Sequence, residues 1–131
     1  MSDSYGDRAP EQRLMLGHDP GAVREAREFV AALLDERKAP PEAVDRAMLV
    51  ASELVTNALE HGEGRIELRI GLGDDRVRIE VIDEGADQAP AVRQQTDDQT
   101  GGWGLQIVDQ LTVQWGVFEG TTHVWADLGL R

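Results

Sequence analysis

The 131-residue chain contains no cysteine. That excludes a disulfide scaffold, a thiolate metal site and a cysteine nucleophile. No apolar run approaches the ~20 residues that span a bilayer, and the opening MSDSYGDRAPEQR has no hydrophobic signal region. The expectation is a cytoplasmic protein. Basic residues are scarce: 13 Lys and Arg stand against 25 Asp and Glu, for a net charge of −12. Nucleic acid and anionic membrane surfaces repel such a chain unless a local basic patch overrides the total, and the arginines are scattered. Neither is expected as a partner. The acidity suits a protein partner with a basic surface, and it serves solubility equally well. No Gly-Lys-Ser/Thr occurs, so there is no Walker A phosphate loop. Internal repeats are absent.

An apolar content of 40% is that of a soluble globular domain. Residues 1–12 read as a disordered polar arm and residues 13–131 as a single domain. The stretch that organises the rest is 46–62, RAMLVASELVTNALEHG. Ala47, Val50, Ala51, Leu54, Val55 and Ala58 fall at helical spacing and form one apolar stripe. Glu53, Asn57 and His61 lie four residues apart, in a polar column on the same helix. Two readings stand here. The column is a solvated face, or it is a cleft floor where small neighbours make room, a carboxylate acts as a base and an amide oxygen holds a hard cation.

Around this helix the coarse order is β-α-α-β-β-loop-α-β-β. Residues 13–17 read as an edge strand. Asp19-Pro20 reads as the N-cap and first position of a helix over 21–37, with Val23, Ala26, Val30 and Leu33 or Leu34 inward. The central helix starts near Glu42 and stops at Gly62, read as a C-cap glycine. Ile66, Leu68, Ile70 and Leu72 alternate with Arg65, Glu67 and Arg69, and after a Gly73-Asp74-Asp75 turn Val77, Ile79 and Val81 alternate with Arg76, Arg78 and Glu80. A closing hairpin has Val113, Trp115 and Val117 on one strand and Val124, Ala126 and Leu128 on the other. The pattern predicts an α+β fold: a two-layer α/β sandwich whose mixed, mostly antiparallel sheet is covered on one face by three helices.

Three stretches carry possible chemistry. Continuing the alternation of Val77, Ile79 and Val81 brings Asp83 to the inward face, where a carboxylate needs a partner; Asp83 could also simply cap the turn at Gly85. Residues 86–100 are polar and aperiodic, long for a connection, and suit a lid. Gly101-Gly102-Trp103-Gly104 opens a short helix from Leu105, and free N–H groups at a helix start suit phosphate, although the feature is weak alone.

Taken together, these stretches resemble a known family. ELVTNALEHG resembles the N box of the GHKL ATPases, VIDEG their Asp-x-Gly box, and GGWGLQIVDQL their glycine-rich second box. Within that superfamily the chain looks most like the bacterial anti-sigma factor serine/threonine kinases. The resemblance implies the Bergerat ATP-binding fold, with ATP and Mg²⁺ as cofactors. It implies that Asp83 accepts a hydrogen bond from the adenine amino group and that Gly85 lets the base approach. Asn57 would bind Mg²⁺, and Glu53 would be the general base. Gly102, Gly104 and Leu105 would meet the phosphates beneath a lid at 86–101. The implied partners are a sigma factor and a STAS-type anti-anti-sigma protein, phosphorylated on Ser or Thr, and a homodimer is possible.

Two departures from the family pattern matter. Trp103 stands between the glycines, where a basic or polar residue is common. Gly120 is followed by Thr121-Thr122-His123 rather than by a lysine. Both remove potential phosphate partners. The alternative to a kinase is therefore a regulatory module that controls a partner by sequestration, with or without nucleotide. A third reading, a detached domain acting on a partner's histidine, ranks below these; His61 is then structural or at the rim of the site.

Overall fold

The computed structural model describes residues 11–84, 108, 111, 112, 114–117 and 123–130. Its elements are β1 (Gln12–Leu16), α1 (Gly21–Glu36), α2 (Pro41–His61), β2 (Ile66–Leu72), β3 (Arg76–Asp83), β4 (Gln114–Val117) and β5 (His123–Gly129). The five strands lie in the order β1-β2-β3-β5-β4. All four pairings are antiparallel, so the sheet expected to be mixed has no parallel pair among the described residues. Of the third helix, only Val108 and Leu111 are described; both are helical, and Val108 is buried. Of the arm expected over residues 1–12, Glu11 and Gln12 are described and Gln12 already belongs to β1; its first ten residues, the lid at 86–101 and the turn at 119–121 lie outside the described residues.

Period-two alternation builds the sheet's inner face. Ile66, Leu68, Ile70 and Leu72 of β2 are buried, as are Val77, Ile79 and Val81 of β3 and Val124, Ala126 and Leu128 of β5. Each fully buried Leu, Ile or Val contributes about 1.5–3 kcal/mol. The helices meet this face with period-3.6 stripes: Ala22, Ala26, Val30 and Leu34 on α1, and Ala47, Val50, Ala51, Leu54, Val55 and Ala58 on α2. Of the two leucines that could have faced inward on α1, Leu34 does; Val23, expected inward, is only half-buried, because the stripe runs through Ala22 instead.

The helix ends follow local chemistry. Asp19 was expected as the N-cap of α1, but Pro20 already has helical dihedrals (φ −61°, ψ −25°) and takes that place. Asp19 sits one residue earlier, and its carboxylate accepts from the Gly21 N–H at 2.8 Å. α2 begins with Pro41 in the first turn, where a missing N–H costs nothing, after an extended Pro40. α1 ends in a Schellman motif: the Lys38 N–H donates to the Asp35 carbonyl at 2.9 Å and the Ala39 N–H to the Leu34 carbonyl at 3.1 Å. Lys38 takes the left-handed position with φ 59°. A side chain there costs about 1–2 kcal/mol, offset in part by glycine's greater unfolded-state entropy. Lys38→Gly should therefore raise the unfolding free energy by about 0.5–1 kcal/mol. Urea titration would read this as a higher midpoint at unchanged slope; a lower midpoint would mean that the lysine side chain contributes more than the strain costs.

The opposite face of the sheet carries charge. Arg78 and Asp127 are cross-strand neighbours, and the guanidinium grips the carboxylate through Nε at 2.7 Å and Nη2 at 3.0 Å. Gln114 donates to the same carboxylate at 3.0 Å. Arg78 also lies over the Trp125 ring, 4.5 Å from its centroid. Asp127 is 0% exposed. Glu80 lies beside this pair, with His123 Nε2 3.2 Å from its carboxylate. Burial pushes the Glu80 carboxyl up, but the His123 hydrogen bond and the charges of His123, Arg78 and Arg69 outweigh it and hold it below the usual glutamate value.

Candidate functional site

α2 carries the polar column along the flank of its apolar stripe, with Asn57 buried and Glu53 and His61 partly exposed. Its apolar stripe pins the helix on the core, so the residues flanking that stripe are fixed in direction. Asn57 follows Leu54 and Val55 into the interior and is only 8% exposed. Among the described residues its carboxamide has no hydrogen-bond partner. A buried amide left unpaired costs about 1–3 kcal/mol, and folded proteins keep such groups mostly where something else binds them.

Glu53, one turn earlier, is half-buried. Burial raises its carboxyl above the usual glutamate value, and the nearby charge of Glu60 adds to this. It opens onto a groove of about 470 Å³ between the two helices, lined by Val23 and Arg27 of α1 and by Met48, Leu49, Ser52 and Thr56 of α2. Ser52 donates to the Met48 carbonyl at 2.8 Å, so its hydroxyl is engaged within the helix. Leu49 is exposed at the groove edge. Neither Asn57 nor Asp83 lines this groove.

Asp83 ends β3. It pairs in register with Ile66, lies in phase with Val77, Ile79 and Val81, and is 7% exposed. The alternation therefore does carry this carboxylate toward the helices. It packs directly on Gly62, the C-cap of α2. Gly62 is the C-cap of α2, as expected, and its backbone there is extended (φ −102°, ψ −170°). Space, not dihedral freedom, calls for glycine here: a Cβ would stand 2.2 Å from Asp83 Oδ2 and 2.4 Å from its Cγ.

The segments around Asp83 are tied together. The Glu84 N–H donates to the Glu63 carbonyl at 2.9 Å, and Arg65 reaches the Glu84 carboxylate at 3.3 Å. His18, in the loop between β1 and α1, places Nδ1 3.0 Å from the Gly64 carbonyl and Nε2 3.0 Å from the Leu59 carbonyl. Carbonyls only accept, so a neutral ring donates to one of them and a doubly protonated ring to both. His18 thus lies within hydrogen-bonding reach of both a last-turn carbonyl of α2 and the α2–β2 loop. Sequence reading missed it, because a lone histidine before Asp-Pro carries no signal of a partner more than forty residues away. His61, the third member of the column, is one-fifth exposed and lies 3.9 Å from the Glu60 carboxylate.

The structure thus brings Asn57 and Asp83 into the buried layer between α2 and the sheet, with Glu53 on the helix flank above. Among the described residues no three carboxylates or histidines gather into a metal cage. Gly85, Gly102, Gly104 and Leu105 lie outside the described residues.

Residues 16–126 match the family described as the histidine kinase-like ATPase domain. No protein of curated function matches the sequence. Among solved structures, the chain is similar to the RsbU and RsbW domains of Rv1364c from Mycobacterium tuberculosis, at 26% identity with a TM-score of 0.68. That similarity covers 93% of this chain, which spans 32% of the length of the other. No helix among the described residues is long and apolar enough to cross a membrane.

Proposed function

Because the chain belongs to the histidine kinase-like ATPase family, we infer that it binds ATP with Mg²⁺ between α2 and the sheet and transfers a phosphoryl group to a serine or threonine of a partner protein. The observation that carries this reading is Asn57, a buried carboxamide with no partner among the described residues. A cation-bound polyphosphate would give its oxygen the ligand it lacks. Bound ATP and Mg²⁺ would supply an activated γ-phosphoryl group. The chain's own residues do the rest. The Asp83 carboxylate, backed by Gly62, accepts a hydrogen bond from the exocyclic amine of the base. Asn57 offers its side-chain oxygen to the cation. Glu53 takes the proton of the attacking hydroxyl, and its raised pKa brings it nearer the operating pH of a general base. Gly85, Gly102, Gly104 and Leu105 are assigned to the base and the phosphates by their place in the family's boxes.

The partners that fit are a STAS-type anti-anti-sigma protein as phosphoryl acceptor and a sigma factor held and thereby silenced. The net charge of −12 favours a basic partner surface. A second reading, control by sequestration alone, is favoured by Trp103 and by Thr121-Thr122-His123, which leave fewer cations for the phosphates.

Calorimetric titration with ATP and Mg²⁺ tests the site. Asp83→Asn removes a charge-assisted hydrogen bond and should weaken binding by about 1.5–3 kcal/mol, roughly ten- to a hundredfold. Unchanged affinity would place the base elsewhere. No binding at millimolar ATP would leave sequestration as the better account.

A further inference from the structure

A tightly constrained contact lies behind the proposed base-binding carboxylate, and Gly62 makes it. Three observations converge. The Asp83 carboxylate lies so close to the Gly62 Cα that a Cβ would meet Oδ2 at 2.2 Å, Cγ at 2.4 Å and Oδ1 at 2.8 Å. All three atoms of the group would be struck, so no small rotation of the carboxylate escapes. The Gly62 backbone is extended and would accept any residue. The wall is also fixed: the Gly62 N–H donates to the Ala58 carbonyl at 2.8 Å, and the next strand boundary is pinned by the Glu84–Glu63 bond.

We propose that Gly62 is a positioning residue: its bare Cα is the back wall that sets how far the Asp83 carboxylate stands from a bound nucleobase, and so sets recognition of the exocyclic amine. This rests on the nucleotide reading above and adds to it a specificity determinant that never touches the ligand. A methyl group at position 62 pushes the carboxylate forward or turns it. Displacement and rotation of the carboxylate lengthen and bend the hydrogen bond to the amine, and such bonds weaken steeply as the angle falls toward about 120°. Contacts to the sugar and phosphates are made elsewhere and are not moved.

The test compares the unmodified protein, Gly62→Ala, Asp83→Ala and the double variant. Each is titrated with ATP and with the triphosphate of purine riboside, which lacks the amine, both with Mg²⁺. The unmodified protein should prefer ATP by about tenfold or more. Gly62→Ala should lose most of that preference by weakening ATP while leaving the amine-free nucleotide unchanged. In the Asp83→Ala background, where no carboxylate is left to displace, adding Gly62→Ala should change neither affinity. The melting temperatures should follow the same pattern: Gly62→Ala lowers that of the unmodified protein and not that of Asp83→Ala. The thermal comparison keeps the test valid even if Gly62→Ala alone folds poorly, since the double variant then recovers.

Outcomes separate the two readings. If Asp83→Ala keeps the preference for ATP, the assignment of Asp83 to the base is wrong and Gly62 falls with it. If Asp83→Ala loses the preference and Gly62→Ala keeps it, only the positioning role is overturned. Equal weakening of both nucleotides by Gly62→Ala would show a merely structural glycine.

Discussion

Replacing Glu53 by glutamine should slow phosphoryl transfer by about 10²–10⁴-fold, the usual contribution of a positioned general base. ATP affinity should change little, because the amide fills the same volume on the flank of α2 and the groups assigned to the base and the cation lie deeper, at Asp83 and Asn57. Single-turnover transfer from labelled ATP to the acceptor protein, set beside the calorimetric affinity, separates the two effects. A variant that transfers at the unmodified rate would remove Glu53 from the chemistry. The pH profile is a second readout of the same residue. Burial and then the charge of Glu60 raise the Glu53 carboxyl above its ordinary value of 4.5. A base must be ionised to accept a proton, so the rate should fall as pH drops through this raised pKa, and the acid limb should lie above 4.5 rather than at it. Glu60→Gln removes the smaller of the two causes and should move the limb toward lower pH. Burial remains, so the limb should not return fully.

Arg78→Met should lower the unfolding free energy by about 3–5 kcal/mol. Asp127 is 0% exposed, and losing the guanidinium takes two short hydrogen bonds and the neutralising charge from a carboxylate that water does not reach. The penalty is that of a charge left buried, larger than the net value of the pair itself. The stacking of Arg78 on Trp125 adds about 0.5–1 kcal/mol to the loss. Urea unfolding followed by tryptophan fluorescence measures it. The double variant Arg78→Met/Asp127→Leu should recover most of the stability, because no charge is then stranded. If the single variant loses less than about 1 kcal/mol, Asp127 is solvated or otherwise satisfied on that face.

The sheet's inner surface could be read from the sequence because period-two alternation is a local property. Ile66 to Leu72, Val77 to Val81 and Val124 to Leu128 all point where their spacing put them. The same phase carried Asp83 inward. Alternation states which face a residue occupies but not what covers that face: Glu80 read as an outward polar position, yet it is buried, and so is Asp127 beside it. Strand order escaped for a different reason. β3 neighbours β5 rather than β4, and that choice depends on pairing between distant segments, about which local periodicity is silent. Gly62 shows the limit most clearly. A glycine ending a helix suggests left-handed backbone, yet here the demand comes from a carboxylate that folding brings in from another strand. That Asn57 has no hydrogen-bond partner among the described residues is likewise a fact of packing. The resemblance placed a ligand there; spacing alone left a solvated face equally open.

Strand order also decides where this fold tolerates editing. Among the described strands, β1 lies on one edge and hydrogen-bonds a single neighbour, β2. Trimming or replacing it would remove one ladder, together with the anchor of the loop that carries His18. β5 lies inside the sheet, flanked by β3 and β4. Deleting it would strip two ladders, leave β4 without its recorded neighbour, uncover Val77, Ile79 and Val81, and take Asp127 from Arg78. Fusions and truncations that pass through β1 thus disturb a margin, whereas those that reach β5 dismantle the middle of the domain.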